Sequence, residues 1–324
     1  MLYKVFIDGQ EGTTGLKIFE RFEKRQDIQM LRIDGQYRKS LDHRLDMIEK
    51  ADITFLCLPD AASLEIIKHA PAHARILDTS TAHRTNPDWV YGFPELQEGQ
   101  RERIGKANRV AVPGCHATGF ISLVKPLIAM DIAEKEYPFT CYSVTGYSGG
   151  GKKMIKDYED DFVVGGRNPI HGIETELSSP RQYGLTQWHK HLPEMKAMTG
   201  IAYDPVFNPI VSNYYSGMLV SVQLHTRLLK KKRNPQQLRE TFQEYYHNQL
   251  LVKVRTEEET PESGFIGSNN LGGSNEMELF IVGNEERITL MSRFDNLGKG
   301  ASGAAIQCMN IMLGLPEDTG LQKE

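Results

Sequence analysis

The stretch YKVFIDGQEGTTGLKIFERF (Tyr3–Phe22) passes from a short apolar run through a glycine-rich turn into residues of helical period. Tyr3–Ile7 is typical of a buried strand, and one helix face is indicated by the spacing of Gly15, Ile18, Phe19 and Phe22. Short apolar runs continue to alternate with helical patterns up to about residue 118. This alternation predicts four more strands, at Ile28–Ile33, Ile53–Leu58, Ala74–Ser80 and Arg109–Pro113. Strands alternating with helices predict an α/β domain of the Rossmann type with a parallel sheet.

Three glycines, Gly9, Gly12 and Gly15, separate the first strand from the first helix. Glycines there let the backbone approach a pyrophosphate, which the N–H groups and dipole of a helix start can bind. The spacing is G-x-x-G-x-x-G rather than G-x-G-x-x-G, so a turn that serves only close packing is the alternative. We predict a dinucleotide site to which Thr13, Thr14 and Ser80 also contribute.

Charged residues after the second strand bear on the choice between NAD and NADP. Asp34 lies about 20 residues beyond the turn, where an acid can bind the ribose 2′-hydroxyl of NAD. Arg38 and Lys39 follow at once and favour the 2′-phosphate of NADP. We expect NADP (NADPH), although these charges alone leave NAD open.

Longer strands replace the alternation in the second part of the chain. Gly217–Leu228 and Met277–Asp295 predict an α+β domain with a mixed or largely antiparallel sheet. We predict a dinucleotide-binding domain at residues 1–116 and 297–324, and a catalytic, substrate and oligomerisation domain at 117–296. The tail returns to helix, with one apolar face formed by Ala301, Ala304, Ala305, Cys308 and Met312.

Composition excludes several classes of function. The chain has 324 residues, 40% hydrophobic and 25% charged, with a formal net charge of −4, so it offers no basic field to nucleic acid. Four cysteines make no disulfide framework, and no apolar run approaches the length of about 20 residues that spans a bilayer. We expect a cytoplasmic protein with neither a nucleic-acid nor a membrane partner.

Cys115 stands in VPGCHATGF, between a Pro-Gly turn and an apolar helical pattern. A thiolate at a helix N-terminus is stabilised by the dipole and the free N–H groups, which can also hold an oxyanion. The position suits a covalent nucleophile, and a small residue filling a tight turn is the alternative. For the other cysteines, Cys57, Cys141 and Cys308, packing is the expected role.

Candidate acid–base partners lie together in QWHKHLPEM. His189 and His191 alternate, so on a strand both would point to one side, and Glu194 is near enough to orient one of them. Purely structural histidines are the alternative. A metal site is not expected, because no further ligand stands at metal-binding spacing nearby.

Six stretches carry a resemblance to a known family: LDTSTAHR, YGFPEL, VPGCHATG, TGYSGGGKKMI, HKHLPE and DNLGKGASGAAIQCMNIMLGL. In this order they resemble the shorter, second type of N-acetyl-γ-glutamyl-phosphate reductase, a phosphorylating semialdehyde dehydrogenase. The resemblance spans Gly9–Leu315. It implies reduction of N-acetyl-γ-glutamyl phosphate to the semialdehyde and phosphate with NADPH, through a cysteine thioacyl intermediate, in arginine biosynthesis.

The resemblance also implies residue roles. Cys115 matches the family's nucleophile and His189 its acid–base histidine, with His191 and Glu194 in supporting positions. Asn296, Gly298 and Lys299 match residues expected near the nicotinamide. His116 is a departure, since much of the family has an aromatic residue there, and this leaves open which histidine transfers the proton.

An acyl-phosphate substrate needs cationic or N–H partners for its phosphate and carboxylate. The candidates are Arg84, Gly149, Lys152, Lys153 and Arg181. The run TGYSGGGKK (Thr145–Lys153) is expected either to bind phosphate as a loop or to be flexible and solvated. Long strands in the second domain suggest a homodimer or homotetramer. The rival functions are an aspartate-semialdehyde dehydrogenase and a non-catalytic NADP-binding regulator.

Overall fold

The computed structural model describes residues 2–164, 176–261 and 263–323, and for 161–164 it describes the backbone only. The chain divides into two compact units. The first comprises Met1–Gly114 and Ala301–Gln322, and the second is built on Cys115–Gly300. The functions predicted for the two segments remain predictions at this point.

A six-stranded sheet, parallel throughout, forms the centre of the first unit. Its strands are β1 (Tyr3–Asp8), β2 (Ile28–Leu31), β3 (Ile53–Leu56), β4 (Ile76–Asp78), β5 (Val90–Tyr91) and β6 (Arg109–Ala111), in the order β2-β1-β3-β4-β6-β5. The predicted parallel α/β architecture is confirmed. Four of the five predicted strands are shorter than expected, and β5 was not predicted because two residues show no periodicity.

Helices cover both faces of this sheet. They are α1 (Thr13–Phe22), α2 (Leu41–Lys50), α3 (Asp60–His69), α4 (Gln100–Lys106) and, after the second unit, α9 (Gly303–Met312). Adjacent residues of one strand serve opposite faces, as a pleated strand requires. Val5 packs in a cluster with α1, α4 and α9, whereas Phe6 packs with Ile48 of α2 and Ile66 of α3. Helix α9 is buried on more than its predicted face, since every residue of Gly303–Asn310 is buried.

The second unit has a seven-stranded mixed sheet, as predicted. Its strands are β7 (Thr140–Gly146), β8 (Arg181–Gln182), β9 (Val206–Ser212), β10 (Met218–His225), β11 (Val252–Val254), β12 (Met277–Gly283) and β13 (Arg287–Phe294), in the order β11-β12-β13-β10-β7-β9-β8. The pairs β7–β9 and β11–β12 are parallel and the others antiparallel. Its helices are α5 (Cys115–Ala129), α6 (Gly151–Val164), α7 (Leu192–Thr199) and α8 (Pro235–Tyr245).

Helix α5 packs closely on β10 and β13. Gly119 makes this possible, because a Cβ at that position would lie 2.3 Å from Cγ2 of Val220. Pro126 lies inside the helix and has no N–H for the carbonyl of Ser122, one turn earlier. The buried hydroxyl of Tyr246 supplies the missing donor, at 2.8 Å from that carbonyl oxygen.

The other face of the mixed sheet carries half-exposed apolar side chains from four neighbouring strands. We call this the apolar sheet face, and its members are Tyr142, Val144, Ile210, Leu219 and Met291. The strand register places them side by side, with Val144 opposite both Leu219 and Ile210. Among the described residues, no helix has the length and apolar character needed to cross a membrane.

Candidate active site

Cys115 is the first residue of α5, which begins where the sequence predicted a helix to start. The preceding strand is β6, the sixth rather than the fifth, because β5 had not been predicted. The thiol is half-buried. Gly300 packs directly against it, since a Cβ at Gly300 would lie 2.9 Å from that of Cys115. The sulfur is therefore carried by the first turn of α5, close to the backbone of Gly300.

His189 and His191 do not lie on a strand, contrary to the prediction. They belong to the turn before α7, and His191 is the N-cap residue of that helix. The chain bends there because Leu192-Pro193-Glu194 begins a helix, and proline is favoured in a first turn. The two rings nevertheless lie together, with centroids 4.8 Å apart and planes at 87°. The backbone N–H of His191 donates to Nδ1 of His189 at 3.2 Å.

His116 is the third member of this histidine cluster. Its ring centroid lies 5.5 Å from those of both His189 and His191. The side chain is buried, and each ring nitrogen has a hydroxyl partner: Nδ1 lies 2.7 Å from Oγ of Ser143, and Nε2 lies 2.7 Å from the phenolic oxygen of Tyr183. Sequence reasoning missed Ser143 and Tyr183, which come from β7 and from the segment after β8.

Burial keeps the imidazoles of His116 and His189 neutral. It lowers the pKa of His116 to about 3, and the nearby charges of His189 and Lys190 act in the same direction. The pKa of His189 is lowered to about 4, first by burial and then by Lys190. Burial also raises the pKa of the Tyr183 phenol, and negative charge on Cys115 raises it further, so the phenol keeps its proton.

Glu194 lies in the first turn of α7 and is buried. A carboxylate there is favoured by the helix dipole. Its proposed role in orienting a histidine stays a prediction. Among the described residues, no group of three or more His, Cys, Asp or Glu side chains has an arrangement that could hold a metal ion.

The glycine turn of the first unit fits a pyrophosphate. Gly9 has a φ of +86°, and a Cβ there would lie 2.3 Å from the carbonyl oxygen of Cys57. A Cβ on Gly15 would lie 2.6 Å from the carbonyl oxygen of Gly9, so both glycines are required by packing within the turn. A Cβ on Gly12 would make only ordinary van der Waals contacts. Gly12 is the N-cap residue of α1, and no side chain caps this helix with a hydrogen bond. The first-turn N–H groups, including those of Thr13 and Thr14, are therefore available to an anion.

Arg38 belongs to the surroundings of this turn, because its guanidinium is paired with the carboxylate of Glu11. Arg38 and Lys39 are exposed. Strand β2 ends at Leu31, so Asp34 lies in the following loop and not at the strand end. There its carboxylate accepts the N–H of Gln36 at 3.1 Å. The contacts of Asp34, Arg38 and Lys39 with a bound ribose stay predictions.

Ser80 and Arg84 make bonds within the first unit. Ser80 donates its N–H and its hydroxyl to buried Asp78, at 2.9 and 2.7 Å. Arg84 is buried and donates to the carbonyl oxygens of Val112 and Thr79, at 2.9 and 3.0 Å. Two nitrogens of the Arg84 side chain are therefore occupied by hydrogen bonds to backbone carbonyls. A contact of Arg84 with substrate stays a prediction.

The predicted glycine loop TGYSGGGKK is largely helical. Tyr147–Gly150 is a 3₁₀ turn, and α6 begins at Gly151. Lys152 and Lys153 are consequently exposed in the first turn of a helix, and the prediction of a flexible or phosphate-binding loop is wrong in its structural part. Gly149 lies in the 3₁₀ turn, where a Cβ would come within 3.3 Å of Nδ2 of Asn296.

The remaining predicted residues of the second unit are held by close contacts. Asn296 accepts the N–H of Gly217 at 2.8 Å and donates to Ser148 at 3.0 Å. Gly298 and Lys299 lie in a π-helical turn, Gly298–Ser302, a type of turn frequent at functional sites. Lys299 is buried, and a Cβ on Gly298 would meet the carbonyl oxygen of Ser274 at 2.2 Å. Arg181 donates to the phenolic oxygen of Tyr158 at 2.9 Å and is 29% exposed.

Comparison with known proteins gives consistent relatives. Residues 9–107 match the NAD binding domain of semialdehyde dehydrogenase, and residues 115–296 match its dimerisation domain. The chain is 40% identical to N-acetyl-gamma-glutamyl-phosphate reductase 2 of Nostoc sp. over 98% of this chain and 99% of that protein. It is 42% identical to N-acetyl-gamma-glutamyl-phosphate reductase of Brucella anthropi over 96% of this chain and 98% of the relative.

Solved structures share the fold at much lower identity. A probable aspartate-semialdehyde dehydrogenase from Pseudomonas aeruginosa matches with a TM-score of 0.70 at 13% identity, covering 97% of this chain and 99% of the other. Aspartate semialdehyde dehydrogenase from Francisella tularensis matches with a TM-score of 0.68 at 15% identity, covering 97% and 100%. At 13–15% sequence identity, these two structures show a shared fold and nothing about function.

Proposed function

The chain belongs to the semialdehyde dehydrogenase family, within its N-acetyl-gamma-glutamyl-phosphate reductases, and we propose that it reduces N-acetyl-γ-glutamyl phosphate to N-acetylglutamate semialdehyde and phosphate with NADPH. The observation that carries this proposal is the position of Cys115, the first residue of a 15-residue helix, directly before His116, whose ring lies 5.5 Å from that of His189. The reaction is a step of arginine biosynthesis, and a cytoplasmic location stays a prediction from the sequence.

The nucleophile is the Cys115 thiolate. It attacks the carbonyl carbon of the acyl phosphate, and the N–H groups of the first turn of α5 hold the oxyanion that forms. The bond from carbon to the phosphate oxygen then breaks, and phosphate leaves with the electron pair. This leaves the acyl group on sulfur as a thioester.

NADPH, when bound, supplies the hydride that reduces the thioester carbon. The residues that would hold it are the glycines of the turn, the first-turn N–H groups of α1 and, at the 2′-phosphate, Arg38 and Lys39. Addition of hydride gives a hemithioacetal alkoxide. The alkoxide collapses to the aldehyde as the carbon–sulfur bond breaks, and the sulfur leaves as thiolate.

His189 is the proposed partner of the alkoxide. Because Nδ1 of this neutral ring accepts the N–H of His191, its own proton lies on Nε2. An Nε2–H of this kind donates a hydrogen bond to the negatively charged oxygen without losing its proton. We therefore assign His189 to stabilising the oxygen, and His191 to fixing the tautomer of His189 through the backbone.

A homo-oligomer accompanies this function. The apolar sheet face offers a surface for a second copy, and the family description of residues 115–296 is a dimerisation domain. We propose a homodimer formed through this face, with a tetramer as the alternative. Sedimentation measurements at several concentrations distinguish the two.

The test runs the reaction backwards, with NADP⁺, phosphate and either N-acetylglutamate semialdehyde or aspartate semialdehyde. Formation of NADPH with the first aldehyde, and a far slower rate with the second, is the expected result. Cys115→Ser should bind NADP⁺ normally and lose at least about 1,000-fold in turnover, as enzymes that lose their nucleophile do.

Two other outcomes would overturn the proposal. A faster rate with aspartate semialdehyde would make the chain an enzyme of that substrate, the function named for the proteins that share its fold. Binding of NADP⁺ without turnover of either aldehyde would point to a regulator that senses the nucleotide.

A further inference from the structure

Strand β8 is too short to pair with the whole of β9. Its register places Gln182 opposite Ile210, and continued unchanged it would place Leu185 opposite Phe207. The chain leaves the sheet before that point, at Gly184, whose φ is +65°, and the side chain of Leu185 is 75% exposed. Strand β8 therefore supplies no backbone partner for the N–H and C=O of Phe207.

The side chain of Gln187 takes the place of that missing partner. Its Nε2 donates to the carbonyl oxygen of Phe207 at 2.9 Å, and its Oε1 accepts the N–H of Phe207 at 2.9 Å. A carboxamide has the donor and the acceptor of a peptide group. The two bonds are therefore equivalent to those that directly opposite residues of an antiparallel pair exchange.

The backbone of Gln187 is held in an uncommon conformation. Its φ is +60°, in the left-handed region that a long side chain rarely adopts, and its N–H donates to the carbonyl oxygen of Gly184 at 2.9 Å. Such a conformation persists where the surrounding contacts fix it. The turn Gly184–Gln187 is thus closed by one bond of its own and docked on β9 by two.

Phe207 connects this turn with the histidines. Its ring is 1% exposed and packs against the rings of His189 and His116, with centroids 5.0 and 5.4 Å apart. Gln187 precedes His189 by two residues, so the residue that receives the carboxamide is also the residue on which the histidine packs. Undocking the turn from β9 would release the backbone that carries His189.

The tautomer of His189 depends on the same segment. Nδ1 of its ring accepts the N–H of His191 at 3.2 Å, at the upper end of the range usual for N–H donors in proteins. A displacement of the turn by a few tenths of an ångström would break this bond. Nδ1 would then be free to carry the proton, and the ring would exchange between its two neutral forms.

We propose that Gln187 is a positioning residue whose carboxamide docks the turn on Phe207 and thereby fixes the place and the tautomer of His189. It acts through His189 and not by touching substrate. Its effect on turnover rests on the proposed function, which assigns His189 to the alkoxide. Its effect on the ring of His189 does not.

The experiment follows the ring nitrogens of His189 by nitrogen-15 magnetic resonance in protein labelled on histidine, at a pH well above the pKa of this ring, about 4. The signals are assigned by their loss in His189→Asn. In the wild type we expect an unprotonated Nδ1 and a protonated Nε2. Gln187→Met keeps the length of the side chain without its amide, and Gln187→Gly suits the positive φ without a side chain. In both variants the two shifts should move toward each other, because the tautomers mix.

Gln182→Met is the matched control. Gln182 is also an exposed glutamine beside β9, but its Nε2 donates to the side chain of Asn208 at 3.0 Å and not to the backbone of Phe207. Its substitution should leave the His189 signals and kcat as in the wild type. Both Gln187 variants should lower kcat with N-acetylglutamate semialdehyde by about 5- to 30-fold, the equivalent of one or two hydrogen bonds, without changing the KM for NADP⁺.

Wild-type nitrogen shifts in Gln187→Met would overturn the inference. So would wild-type shifts in Gln187→Gly, because the side chain would then be dispensable. An equal change in Gln182→Met would also overturn it, because any loosening of the sheet edge would then suffice. Far-ultraviolet circular dichroism checks that each variant is folded, and either Gln187 variant alone carries the test.

The nitrogen shifts require neither NADP⁺ nor aldehyde, so the two proposals fail separately. Mixed tautomers in Gln187→Met, combined with no turnover of either aldehyde by the wild type, would preserve the role of Gln187 and refute the proposed function. Turnover by the wild type, combined with unchanged shifts in Gln187→Met, would do the opposite.

Discussion

Removal of the Tyr246 hydroxyl should weaken α5, the helix that begins with the nucleophile. Pro126 leaves the carbonyl of Ser122 without a donor inside the helix, and the Tyr246 hydroxyl supplies one at 2.8 Å. All three residues are buried, so Tyr246→Phe leaves a buried acceptor without this donor, at a cost of about 1–3 kcal/mol. Pro126→Ala restores the N–H that bonds this carbonyl in a regular helix.

Hydrogen exchange of a peptide that covers α5 measures this cost without assuming that the two-unit chain unfolds in one step. In the wild-type background, Tyr246→Phe should accelerate exchange by about 5- to 150-fold. In the Pro126→Ala background the same substitution should have little effect. Equal acceleration in both backgrounds would refute the reasoning, because the hydroxyl would then act by something other than the missing N–H.

Three further predictions concern the nucleotide turn and acid stability. Gly9→Ala should lower the midpoint of thermal unfolding, because Gly9 has a positive φ and its Cβ would clash within the turn. Gly12→Ala should keep that midpoint, because a Cβ there meets no clash, and should raise the KM for NADPH. Similar effects of the two substitutions would contradict the packing argument. Arg38→Ala should raise the KM for NADPH by about tenfold and leave that for NADH unchanged, and a loss common to both cofactors would exclude a 2′-phosphate contact. Folding lowers the pKa of His116 from 6.5 to about 3, so between these pH values the unfolded chain binds more protons and the free energy of unfolding falls as the pH is lowered. Denaturant titrations should show a smaller fall in His116→Gln than in the wild type. The same dependence of the free energy of unfolding on pH in both proteins would be the contrary result.

The parallel sheet could be predicted because its strands are continuous apolar runs between helical patterns. Such runs are expected where both faces of a sheet are covered, and Val5 and Phe6 do pack on opposite sides. Strand β5 has no such signal, because two residues carry no period. The start of α5 at Cys115 could also be predicted from the sequence, because a Pro-Gly turn directly precedes an apolar helical pattern.

The surroundings of the histidines could be predicted only in part. Alternation in His189-Lys190-His191 suggested a strand, yet Pro193 and Glu194 are typical of a helix start and indicate a turn instead. The bonds of His116 span 27 residues to Ser143 and 67 to Tyr183. No local pattern relates residues so far apart, because their meeting is a consequence of how β7 and the segment after β8 are arranged in the unit.

Among the described residues, the mixed sheet ends on very short strands, with two residues in β8 and three in β11. A further chain that tried to extend the sheet sideways would find only a handful of open N–H and C=O groups, too few to hold it. Growth at the sheet edges has no natural end and leads to fibres, whereas association through the apolar sheet face is complete once one second copy of the chain is bound. The brevity of these two strands thus disfavours growth at the sheet edges and agrees with the finite homo-oligomer proposed above.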